Sequence, residues 1–143
     1  MDTQEATVVE VVPGRHWIGP VPGTPPDHVR AVVVVGPVFP HELATGAVRV
    51  PVLWLPLAEE QVSAARQTAD LESVAGLPRP ILWCSACPWH ATFALTMWLT
   101  HFRYNDPVRV LDRLTVLWPA GRLPASSART LLRGTPSTAT LPP

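Results

Sequence analysis

Lysine is absent from this sequence: all eleven basic residues are arginine, and eleven acidic residues balance them. Arginine without lysine reads as a GC-rich coding bias before it reads as chemistry. Charge is scarce as well, at 15% of the chain against about 25% in an average protein. Zero formal net charge gives no basic footprint, so no nucleic-acid partner is expected. There is no apolar run of about 18 residues; the longest candidate, Ala91 to Leu99, is far too short to span a bilayer, and no membrane partner is expected. The start, Met1-Asp2-Thr3-Gln4-Glu5, is acidic and polar and lacks the pattern of a secretory signal. Two cysteines are too few for a disulfide framework. Together these set the expectation of a cytoplasmic protein.

What the chain has in excess is proline, 18 of 143 residues, more than twice the usual ~5%. Disorder does not follow, because 47% of residues are apolar and six are tryptophan, enough to build a core. The length suits one domain, expected over residues 1–133, with a Pro/Ser/Thr-rich tail over 134–143. Residues 6–12 and 16–19 read as strands around the Pro13-Gly14 turn. The run Ala31 to Val35 reads as a central strand buried on both faces. Val48 to Leu55 reads as a strand whose Pro51 argues for an edge or a bulge. A helix is expected over 59–75 and ends at Gly76. A short strand, Ile81-Leu82-Trp83, then enters Cys84, and a helix that is apolar nearly all round spans 91–102. Asp106-Pro107 opens another helix, and a last one runs near Ser126 to Arg133. The fold class is α/β, a small central, mostly parallel sheet flanked by helices.

The informative segment is Pro80-Ile-Leu-Trp-Cys-Ser-Ala-Cys-Pro-Trp-His-Ala-Thr. Ligand sites of α/β sheets lie beyond the carboxyl ends of strands. A loop entering a helix N-terminus offers N–H groups and a positive dipole end, which bind anions and favour a thiolate. Cys84 is therefore a candidate nucleophile, with His90 as its base, acid or thiolate partner.

This layout resembles the cysteine-based protein tyrosine and dual-specificity phosphatases over roughly residues 8 to 133. In that family a strand delivers a nucleophilic Cys into a phosphate-binding loop, an Arg lies six residues on, and a buried helix follows. Val12 to Pro20 looks like the family's opening strand pair, Val32 to Val35 like its next core strand, and Val52 to Leu57 like the strand leading into the acid loop. The resemblance implies that Glu59 or Glu60 falls near the general acid, and that Pro107 to Pro119 and Leu123 to Leu132 are the closing helices. The loop itself departs from the pattern. Trp83 stands where the family has His, Cys87 for a Gly, His90 for the phosphate-clamping Arg, and Ala91 for the following Ser/Thr. An imidazole lacks the planar fork that grips two phosphate oxygens, so efficient phosphomonoester hydrolysis is not expected.

Four readings follow. The first is a repurposed enzyme acting on a small, largely apolar molecule, with Cys84, His90, Glu59 and Glu60 as catalytic groups. Its substrate wall would be Trp54, Trp83, Ser85, Ala86, Cys87, Trp89 and Ala91. The second is an inactive, pseudophosphatase binding module, and the third an atypical cysteine phosphatase. The fourth takes Cys84, Cys87 and His90 as a metal or thioredoxin-type redox site. No cofactor is called for by the leading reading. A small-molecule ligand is its expected partner, and oligomeric state leaves no mark. Plainer roles stand beside these. Cys87 can be a packing residue, Glu59 and Glu60 can serve the helix dipole, and Trp98 suits a core. His16, His28 and His41 read as surface residues near turns, and His101 lies near a helix C-terminus.

Overall fold

The structure, a computed structural model, describes residues 8–21, 27–41, 49–56, 71–103 and 105–133. Five strands form one sheet: β1 (Val9–Val12), β2 (His16–Pro20), β3 (Ala31–Val35), β4 (Val52–Leu55) and β5 (Ile81–Ser85). Their order is β1-β2-β5-β3-β4. Only the β1–β2 pair is antiparallel; β2–β5, β3–β5 and β3–β4 are all parallel. The mostly parallel α/β sheet read from the sequence is therefore present. β3 is buried at every position, as a continuous apolar run inside a parallel sheet should be. β4 is an edge strand, which explains how Pro51 is tolerated just before it.

Three helices follow the sheet: α1 (Pro88–Arg103), α2 (Pro107–Leu117) and α3 (Ala125–Arg133). Of the helix expected over 59–75, only its end is described: a helical pair of residues, 71–72, and a 3-10 turn, Ser73–Gly76. Residues 57–70, and with them Glu59 and Glu60, lie outside the described residues, as does 134–143. No helix among the described residues is long and apolar enough to cross a membrane.

The core has two layers, one on each face of the sheet. On one face, Ile81 and Trp83 pack with Val33, Val35 and the inner side of α1, including Ala91, Leu95 and Trp98. On the other face, Leu82 and Cys84 pack with Val29, Val32 and Val34. The alternation along β5 is the two-residue period of a strand. α1 presses close to its neighbours, and at Gly121 a Cβ would collide with the Trp118 ring and Thr92. α2 begins where Asp106-Pro107 sets it, with proline at the first helical position. Asp106 occupies the N-cap but its side chain makes no capping hydrogen bond.

Candidate active site

β5 ends between β2 and β3, with Cys84 opposite Gly19 and Val34. This is the carboxyl edge of the parallel strands, where the sequence places the site. The chain reverses through Ala86 and Cys87 and enters α1 at Pro88, two residues earlier than the loop needed to hold His90 as its last member.

Ser85 organises this turn. It is buried, and its Oγ donates to the Cys87 carbonyl at 2.7 Å and accepts the Ala91 N–H at 3.0 Å. The His90 N–H is accepted by the Cys87 carbonyl at 3.0 Å. Pro88 has no N–H to offer. The donors that a phosphate-binding loop aims at its anion are thus engaged within the loop at His90 and Ala91 and missing at Pro88. Ser85, expected from sequence in the substrate wall, acts here as a helix cap reached from the preceding strand.

Cys84 departs furthest from expectation. It is 0% exposed and faces the apolar layer of Val29, Val32, Val34 and Leu82, the face away from α1. Burial pushes its thiol up to about 12, because the low-dielectric surroundings penalise the thiolate. Desolvation is the cause of the rise. The favoured thiolate read from the loop-to-helix pattern is not what this arrangement provides. The pattern locates Cys84 correctly along the chain but does not say on which face of the sheet the sulfur falls.

The other site residues divide into buried and peripheral. Trp83 is wholly buried, and its indole N–H donates to His16 Nδ1 at 3.0 Å; it is core, not a substrate wall. His16 is correspondingly 1% exposed, which corrects its reading as a surface residue. A two-residue alternation with Ile18 was the available signal. Ala91 is also buried against the sheet. Ala86 is exposed and Cys87 half-buried. His90 is half-buried beside Gly36, whose φ of +143° at the end of β3 is backbone that favours glycine. Trp89 is half-buried as well, its ring edge-on to His90 at 4.4 Å and to Phe93 at 6.1 Å. Trp54 is 42% exposed; its indole N–H donates to the Gly36 carbonyl at 2.9 Å and its ring meets Phe39. Gly36, Phe39, Trp54, Trp89 and His90 thus border the same sheet edge, with Val38 protruding beside them.

Cys84, Cys87 and His90 do not form a metal centre: among the described residues no three His, Cys, Asp or Glu side chains gather in a way that could hold an ion. Both cysteines are free thiols, and the sulfur of Cys84 lies in the apolar layer across the sheet. The Cys-x2-Cys-x2-His metal reading thus finds no ligand cluster among the described residues.

The strand order, the loop between β5 and α1, and the helical second half define the dual-specificity phosphatase fold, an α/β phosphatase architecture. Solved structures of that class superpose on most of the chain. Human DUSP28 has a TM-score of 0.60 at 16% identity, covering 88% of this chain and 90% of its own. Tk-PTP in its active form has 0.60 at 15%, covering 92% and 97%. A mouse dual-specificity phosphatase of putative assignment, complexed with zinc tungstate, has 0.57 at 17%, covering 93% and 90%. No protein-family model matches the sequence, and no curated protein matches it either. The resemblance is one of fold, at identities this low.

Proposed function

We propose that this chain is a phosphatase-fold binding module which does not turn over phosphomonoesters through Cys84. One observation carries the reading: the sulfur at the nucleophile position is sealed in an apolar layer, with its pKa pushed up to about 12. A thiol shifted this way stays protonated near neutral pH, whereas cysteine nucleophiles work as thiolates in electropositive surroundings. The loop supports the same reading. His90 replaces the clamping arginine, Ala91 carries no hydroxyl, and Ser85 holds the turn closed. A nucleophilic Cys84 with His90 as its partner, the repurposed-enzyme alternative, would need the loop to turn the sulfur out of the core.

The ligand this edge suits is a small, largely apolar molecule. Trp54 and Val38 present apolar surface to solvent, Trp89 and His90 stand beside them, and no arginine belongs to the loop. Two free thiols suit a reducing, cytoplasmic setting.

The test is hydrolysis of an aryl phosphate between pH 5 and 8 by the wild type and by Cys84→Ser. We expect no burst and no turnover above background in either. A burst in the wild type that disappears in Cys84→Ser would restore the enzyme reading.

A further inference from the structure

At the sheet edge opposite Cys84 there is a cavity of about 510 Å³, within the range of small-molecule sites. It opens between the turn joining β1 to β2, the last turns of α1 and the first turns of α2. His16, at its wall, pairs with Ile81 at the start of β5, so roughly 13 Å of strand separates it from the Ser85 end.

The lining has two chemistries. Leu99, Val110 and Leu114 are among the apolar residues of the lining, while Arg15, Arg103, Arg109 and Arg113 place four basic residues around the same opening. That is four of the eleven basic residues of a chain with no net charge. Asp106 is the carboxylate in the lining, which leaves an excess of three positive charges. Like charges held around one cavity repel, and an anion placed among them removes that cost. The guanidinium fork matches carboxylate and phosphate oxygens in pairs.

His16 adds a neutral donor. Its Nδ1 accepts the Trp83 indole N–H, so the ring proton sits on Nε2. Burial first, and then the charges of Arg79, Arg15 and Arg103, together lower its pKa to about 4; the field of two of the lining arginines therefore reaches this wall.

We propose that this cavity binds a small molecule joining a dianionic head, such as a phosphate monoester, to an apolar body. The arginines hold the head, and Leu99, Val110 and Leu114 receive the body. The site is independent of the Cys84 loop and does not depend on the function proposed above.

The experiment is calorimetric titration of the Cys84→Ser protein, which removes any thiol chemistry, with 1-naphthyl phosphate, 1-naphthol and inorganic phosphate. Naphthyl phosphate should bind one to one, with the other two at least about tenfold weaker. Arg109→Gln with Arg113→Gln should weaken it by roughly ten- to a hundredfold. Both side chains are exposed on α2, so the urea midpoint should stay in place. If the double variant is unstable, Arg113→Gln alone and the salt dependence of binding give the same reading. Unchanged affinity in the variant, or naphthol or inorganic phosphate binding as tightly as naphthyl phosphate, would overturn the proposal.

Discussion

The two ends of the β2–β5–β3 sheet make opposite use of polar groups. At the carboxyl end, where α/β folds place their ligands, the loop satisfies itself. Ser85 Oγ and the Cys87 carbonyl take up the Ala91 and His90 N–H groups, and the sulfur lies in an apolar layer. At the amino end, four arginines stand around a cavity with one carboxylate among them. On this phosphatase-like scaffold four arginines line the amino-end cavity, while the loop where the resemblance implies an arginine carries none. Fold and site are separable, and here the charges, not the topology, mark where an anion fits.

The contrast can be tested from its largest effect downward. His16 joins the two ends through Trp83. Its pKa falls from an ordinary 6.5 to about 4 in the folded state. Between those values the unfolded chain binds more protons than the folded one, so stability is held above pH 6.5 and lost as pH falls toward 4. The linkage limit is about 3 kcal/mol. Urea midpoints across that range should show the loss in the wild type, and His16→Gln should flatten it.

A smaller effect belongs to Cys84. Cys84→Ser places a hydroxyl in the apolar layer and should cost about 1–3 kcal/mol in urea unfolding. A sulfur poised as a nucleophile in an open loop would give little or no loss.

Smaller again, Ser85→Ala removes the acceptor of the Ala91 N–H and should cost about 1 kcal/mol. Hydrogen exchange at the first turn of α1 would quicken. Unchanged exchange there would mean that the cap is not what closes the loop.

Much of the fold is legible from local pattern. The run Ala31 to Val35 reads as a buried central strand because every residue is apolar and Gly36-Pro37 stops it. Asp106-Pro107 marks the start of α2 because proline favours the first helical position. The same rule applies at Pro88, where α1 begins; the cysteine pattern around it instead suggests an open loop. β5 runs through Cys84 and Ser85, two residues past the apolar triplet, because its register is set by β2 and β3 on either side. The facing of Cys84 depends on that register, and no local pattern contains it. His16 and Trp83 meet across 67 residues of chain, so the partner of the imidazole could not be read locally, although alternation with Ile18 marks its face. The arginines of the cavity come from a turn and two helices, although the i,i+4 spacing of Arg109 and Arg113 was visible as one helix face.

The central claim is that the Cys84 thiol is buried and protonated, and intact-mass analysis after alkylation tests it directly. Iodoacetamide at pH 8 should add one carbamidomethyl group to the folded protein, at the half-buried Cys87, and a second only after unfolding in urea. Rapid alkylation of Cys84 in the folded protein at pH 7, faster than that of Cys87, would contradict the account and return the sulfur to the role of nucleophile.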